Sequence, residues 1–249
     1  LKSNRSFAGS IVLSRHHHTL CLLGGSADET ALLGRLLGSR ADAGWAGARG
    51  HVQDVLLAGT PALDATDVYA CGYRGTLLRS TDQGESWQLA TGLSTQATLF
   101  GMGGTPGNLY VVGEAGTVLR FDGKAWTSVS CGTSVTLRGV RTLPSGESWL
   151  VGDQGTVLRL NGSSCSPVAS GVTVQLNAVD GTDATNIWIA GGNGTIQFFD
   201  GTSFRSQMTG TKEELRGIYA ATSVEAFACG TRGTLLRYSQ GSWNSVSLG

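Results

Sequence analysis

Three groups of residues in this chain could do chemistry: a recurring arginine, pairs of variable residues held between closely spaced glycines, and a run of three histidines. Arg79, Arg120, Arg159 and Arg237 each follow a glycine, a threonine and two apolar residues, with Gln197 the exception in the remaining copy. Counting back across the preceding hairpin places Arg79 beside Val68 and Asp67, Arg159 near Glu147 and Arg237 near Glu225, while Arg120 meets Asn108. An acid within diagonal cross-strand reach gives the same arginines a structural use as ion pairs. The paired variable residues are Tyr73/Arg74, Glu114/Ala115, Asp153/Gln154, Gly192/Asn193 and Thr231/Arg232. Variation on a fixed turn is what a recognition surface looks like, and it is equally what solvated turns look like. The candidate binding residues are therefore Tyr73, Arg74, Glu114, Asp153, Gln154, Asn193, Arg232 and Arg120. His16-His17-His18 offers metal-ligating nitrogens, but adjacent side chains in a strand point to opposite faces, so a surface loop fits them better. No metal, cofactor or catalytic residue is expected.

The elements that position these residues announce themselves by repetition. Gly72-Tyr73-Arg74-Gly75-Thr76-Leu77-Leu78-Arg79 recurs in four further copies, whose second glycines stand at 116, 155, 194 and 233. From Gly75 onward the steps are 41, 39, 39 and 39 residues. A period of that length is the mark of a repeat architecture. One copy reads as four strands. Leu176-Asn177-Ala178-Val179 alternates as a half-buried strand, and Asp180 to Thr185 supplies turn residues. Asn186 to Ala190 is an apolar run centred on Trp188, a position held elsewhere by Tyr69, Tyr110, Trp149 and Phe227. A large ring once per sheet suits the space between neighbouring sheets. The Gly-x-x-Gly turn then reverses the chain into a third strand. Asp-Gly or Asn-Gly at 122, 161 and 200 turns it into a fourth, marked by Trp87, Trp126, Phe204 and Trp243, with Cys165 in the third copy. Such a unit cannot bury both faces alone, so the copies must stack, and radial stacking makes an all-β propeller of four-stranded antiparallel blades. Five repeats are expected at about 55–97, 98–136, 137–175, 176–214 and 215–249, preceded by residues 1–54 as an irregular segment or degenerate sixth blade.

Composition excludes several functions. The chain has 249 residues, only 14% of them charged, and a formal net charge of zero, which is no footprint for nucleic acid or an anionic membrane. Thirty-eight glycines suit strands and tight turns. No apolar run is long enough for a membrane span, and Ile11-Val12-Leu13 is too short for the core of a signal peptide. Five cysteines do not pair off evenly. Cys71 and Cys229 share a repeat position that elsewhere holds Val112, Val151 and Ala190, so they read as small buried hydrophobes. Cys131 and Cys165 lie near the ends of successive repeats, where a bridge is open and would favour an oxidising compartment.

Ser80-Thr81-Asp82-Gln83-Gly84-Glu85-Ser86-Trp87 matches Ser-x-Asp-x-Gly-x-Thr-Trp except that Ser86 stands for Thr. It thereby resembles the Asp-box, or bacterial neuraminidase repeat. The longer string from Gly75 to Trp87 resembles the photosystem II stability and assembly factor family and its bacterial secreted relatives. The resemblance implies a propeller in which Ser80, Asp82, Gly84 and Trp87 are structural and remote from the binding face. It also makes an arginine-rich partner surface an expectation. A sialidase would require an arginine triad, a tyrosine nucleophile and an acid. No such set is assignable and the Phe-Arg-Ile-Pro element is absent, so glycoside hydrolysis is the least supported reading.

Residues 1–54 do not repeat cleanly. Ser10 to Ser14 faintly echoes a third strand, Leu32, Leu33, Leu36 and Leu37 have helical spacing behind Ser26, and Trp45 suits a later strand. Taken together, the sequence points to a non-enzymatic scaffold that presents a loop-bearing propeller face to a protein partner, in a cell envelope or outside the cell. A lectin with one glycan site per blade is the alternative.

Overall fold

The computed structural model describes residues 68–247 other than 83–85, 94 and 106, together with the backbones of three earlier strands. The histidine run, the leucine-rich stretch 27–37, Trp45 and Gly84 lie outside the described residues. The first sheet comprises β1 (Ser10–Ser14), β2 (Thr19–Leu22), β3 (Asp54–Gly59), β4 (Val68–Cys71), β5 (Leu77–Ser80) and β6 (Gln88–Leu89), in the order β2-β1-β3-β4-β5-β6. The second holds β7 (Leu99–Thr105), β8 (Asn108–Gly113), β9 (Val118–Phe121) and β10 (Trp126–Ser128). The third holds β11 (Leu137–Thr142), β12 (Ser148–Gly152), β13 (Val157–Asn161) and β14 (Ser164–Pro167). The fourth is built from β15 (Leu176–Asp183), β16 (Asn186–Gly191), β17 (Ile196–Phe199) and β18 (Phe204–Gln207). The fifth is built from β19 (Leu215–Ala220), β20 (Ala226–Gly230), β21 (Leu235–Ser239) and β22 (Ser242–Ser245). All pairings are antiparallel between chain neighbours, apart from β1, which pairs with both β2 and β3.

Each sheet packs face to face on the next, with the inner strands β3, β7, β11, β15 and β19 in contact in that order. The core is accordingly a series of layers between sheets. Tyr69 of the first sheet meets Phe121 and Trp126 of the second, and Trp188 of the fourth meets Tyr238 and Trp243 of the fifth. The once-per-repeat ring is thus the inter-sheet filler that its spacing predicts. Between the second and third sheets Tyr110 supplies that ring, but the third sheet answers it with no ring of its own, and a Cys131–Cys165 disulfide packs there instead. Tyr110 closes the same layer by donating its hydroxyl to the Gly162 carbonyl at 3.1 Å.

The paired expectation for Cys71 and Cys229 divides. Cys71 is a buried free thiol whose pKa burial pushes up to about 12, as suits a small hydrophobe. Cys229, although buried, is disulfide-bonded. A repeat position that tolerates valine gave no sign of this, because pairing depends on what packs against it.

The outer hairpins are held by carboxylates. Asp122 accepts from the backbone N–H groups of Lys124 and Ala125, and Asp200 from those of Thr202 and Ser203. Asp82 accepts from the hydroxyls of Ser80 and Ser86 at 2.6 Å each and from the Ser86 N–H at 2.9 Å. These bonds favour the charged forms, so the carboxyl of Asp82 falls from 3.8 to about 2 and those of Asp122 and Asp200 are also lowered. A folded pKa below the unfolded one gives stability that is present above the unfolded value and lost as pH falls through the folded one. The urea midpoint is therefore expected to drop between pH 4 and pH 2, and Asp82→Asn should flatten that drop. An unchanged acid slope in the variant would remove Asp82 from the account.

Candidate functional site

The variable pairs sit on five superimposable turns. Each is a single 3-10 turn, Tyr73–Gly75, Glu114–Gly116, Asp153–Gly155, Gly192–Gly194 and Thr231–Gly233, flanked by an extended glycine and a threonine. The second variable residue is left-handed throughout, with φ between 52° and 57° at Arg74, Ala115, Gln154, Asn193 and Arg232. Only Asn193 is a residue type that tolerates this conformation well; the others are held there at a cost of about 1 kcal/mol or more each. The turn imposes that cost because its ends are fixed from outside. The first residue's N–H is bound to its own sheet, as Asp153 to the Thr136 carbonyl at 2.9 Å, and the second glycine's N–H to the loop leading into the next sheet, as Gly155 to the Val174 carbonyl at 2.8 Å. All five second residues are exposed, and so is Tyr73, against whose ring Arg74 lies.

At the same end of the blades, the inner strands carry a feature that the sequence pattern hid. Register shifts after Leu99, Leu137, Leu176 and Leu215 mark Phe100, Arg138, Asn177 and Arg216 as bulged residues at one repeat position. A bulge re-aims its side chain, and here the four fall into two linked groups, Phe100 with Arg138 and Asn177 with Arg216 through Glu214. Arg138 lies 5.3 Å from the Phe100 ring centre and pairs with Asp153 of its own blade's turn. Asn177 donates to Glu214 at 3.2 Å and to the Leu215 carbonyl at 2.8 Å, and Glu214 pairs with Arg216 at 3.0 Å. Glu213 accepts from the Thr231 hydroxyl and pairs with Arg232. Of the expected binding residues, Asp153, Arg232 and Glu114 are thus engaged, the last with the Thr98 N–H at 2.7 Å. Tyr73, Arg74, Gln154 and Asn193 lie exposed at the same end, as does Arg232 itself. Of the missed residues, Phe100, Arg138, Asn177 and Arg216 had one sequence signal, the recurring Leu-x-Gly or Leu-x-Ala with x variable, while Glu213 and Glu214 had none.

The arginine row lies at the other end of the third strand and does not join this surface. Arg159 and Arg237 pair with Glu147 and Glu225, as the hairpin count expects, and Arg120 donates to the side-chain Oδ1 of Asn108 at 2.9 Å. Arg79, Arg159 and Arg237 also lie over the rings of Tyr69, Trp149 and Phe227. The registers correct two assignments. Arg79 stands opposite Tyr69 rather than Val68, and the residue matching the arginines in the fourth blade is Phe198, opposite Trp188, not Gln197. Phe198 lies 4.4 Å from the Trp188 ring, while Gln197 is buried and donates to the Ser206 hydroxyl. Asp180, expected in a turn, is instead a strand residue joining three inner strands: it pairs with Arg141 at 3.0 Å and accepts from the Ala220 N–H at 2.8 Å. Burial raises its carboxyl pKa, and the Arg141 charge opposes that rise.

Among the described residues no group of His, Cys, Asp or Glu is arranged to hold a metal, and no helix is long and apolar enough to cross a membrane. No protein family and no curated protein matches the chain. Solved structures do. The WD40 β-propeller domain of Doa1 is similar at a TM-score of 0.63 and 14% identity over 76% of this chain and 66% of that one. YCF48 from Cyanidioschyzon merolae matches at 0.44 and 14% over 77% and 84%, and YCF48 bound to a D1 peptide at 0.42 and 14% over 73% and 78%. With its five antiparallel sheets packed in sequence, this chain has the β-propeller fold.

Proposed function

We propose that the chain is a non-enzymatic binding scaffold that takes one protein partner on the end of the propeller formed by the 3-10 turns and the bulged inner-strand residues. The observation that carries this reading is the shared placement of exposed, chemically different turn residues around the Arg138–Asp153 and Arg216–Glu214 pairs on a turn of fixed geometry. Differences from blade to blade favour one composite interface over five equivalent glycan sites. Aromatic and arginine residues such as Tyr73 and Arg232 are the types that anchor protein interfaces. The local hydrogen bonding of Asp82 supports the Asp-box relationship, in which that residue is structural. The Cys131–Cys165 bond supports placement in an envelope or extracellular compartment.

Photo-crosslinking residues placed at 73, 154, 193 and 232 are expected to capture one partner from the native source, and the same probe at 159 and 237 to capture none. Combined Tyr73→Ala and Arg232→Glu should weaken that partner's binding at least about tenfold, equivalent to about 1.4 kcal/mol, without moving the unfolding midpoint. Capture from the 159 and 237 positions alone would overturn the assignment. Saturable glycan binding with several sites per chain would replace it with the lectin reading.

A further inference from the structure

We propose that Cys21 and Cys229 form a disulfide that fastens the N-terminal hairpin to the fifth sheet, in the place where a sixth inner strand would stand. Two independent observations converge on it.

The first is positional. Every inner strand touches three parts of the sheet before it: that sheet's inner strand, its second strand and its 3-10 turn. So β7 touches β3, β4 and Tyr73–Gly75; β11 touches β7, β8 and Glu114–Gly116; β15 touches β11, β12 and Asp153–Gly155; and β19 touches β15, β16 and Gly192–Gly194. The fifth sheet has no following repeat among the described residues, yet β2 touches β19, β20 and Thr231–Gly233. The hairpin strand repeats the relation that the other inner strands set up. Because β2 pairs with β1 and β1 with β3, the contact carries the first sheet round to the fifth.

The second is the state of the cysteines. The chain has five. Cys131 and Cys165 are bonded to each other, Cys71 is a free thiol, and Cys229 is disulfide-bonded. Within one chain, Cys21 alone remains as its partner. It lies in β2, the strand whose backbone packs on the strand that carries Cys229. Its formation joins the two sulfurs and releases two protons and two electrons. A disulfide-donating oxidant takes these up through a mixed disulfide and leaves as two thiols. The bond closes a loop running from residue 21 to residue 229, most of the chain, so it restricts the unfolded ensemble more than the 34-residue separation of Cys131 and Cys165 does, although the gain grows only with the logarithm of loop length. It makes the closing seam of the propeller covalent and redox-dependent. This inference stands apart from the partner reading.

The test is disulfide mapping of the full chain, alkylated without reduction and digested with trypsin. Trypsin delivers Cys21 within 16–35, Cys229 within 217–232 and Cys71 within 50–74. The expected product is 16–35 joined to 217–232, lighter by two hydrogens than the separate peptides, with 50–74 alkylated only after unfolding. As a second measurement, Cys21→Ser should expose one additional alkylatable thiol at 229 and lower the urea midpoint, whereas Cys71→Ser should leave the cross-linked peptide in place. Alkylated 16–35 from the native unreduced chain, or 217–232 joined to any other peptide, would overturn the proposal.

Discussion

Gly155→Ala is expected to destabilise the protein by about 3–4 kcal/mol, while Gly171→Ala costs about 1 kcal/mol. The two positions share the conformational penalty, since both glycines are left-handed, at φ 68° and 76°, and a Cβ there costs about 1–2 kcal/mol. They differ in surroundings. A Cβ on Gly155 would press into the Val172 carbonyl oxygen and carbon and toward the Ser170 hydroxyl, whereas one on Gly171 meets nothing within 4 Å. The Val172 backbone cannot yield freely, because the same loop receives the Gly155 N–H at Val174, and the Ser170 hydroxyl donates to the Gly155 carbonyl at 2.6 Å. Overpacking against a fixed backbone adds about 1–3 kcal/mol. Equilibrium unfolding in urea separates the two variants, and equal losses would show that the turn does not clamp the next sheet. The clamp has a functional side as well. The strained residue Gln154 is held between the turn's two anchors, so the substitution should also blunt crosslinking from position 154.

The period, the turns and the hairpin registers were legible because they are local: Gly-x-x-Gly fixes a reversal, Asp-Gly and Asn-Gly fix another, and alternation between them fixes which side chains are buried. Arg159 and Arg237 could be matched to Glu147 and Glu225 from hairpin arithmetic alone, because both partners come from one hairpin. Polarity misleads at Gln197, which stands at the place of Leu78 when both are counted from the second glycine, so that Phe198 is the arginine's counterpart. Gln197 has its own hydroxyl acceptor within the blade, so its burial is satisfied. The bulged residues were missed because one extra residue reverses the alternation on which strand reading depends. Asp180 was missed because its partners, Arg141 and Ala220, come from the blades on either side, about a full repeat away in each direction. Contacts between repeats are carried by the stacking and leave no mark within one repeat.

The other large effect expected is at Trp149, where truncation to alanine should cost about 4 kcal/mol, in the range for large buried aromatics. Its side chain is fully buried in the layer between the third and fourth sheets, 5.0 Å from the Phe199 ring centre and 6.0 Å from that of Phe204. Both rings belong to the following blade, so the loss falls on the contact between blades more than on the blade that carries the tryptophan. The indole N–H also donates to Glu147 at 2.9 Å, and Arg159, which pairs with the same carboxylate, lies over the ring. Trp149→Phe keeps a ring in the layer and leaves Glu147 bonded to Arg159, so it should cost about 1–2 kcal/mol. In a structure whose stability is a sum of units and nearest-neighbour contacts, weakening one contact also uncouples the parts on either side. Hydrogen exchange under native conditions should therefore show the third and fourth sheets, which this layer joins, opening at lower free energy in Trp149→Ala, with the second sheet little changed. A uniform rise in exchange through every sheet would mean that the propeller unfolds as one unit and that the layer at Trp149 is no more a boundary than any other.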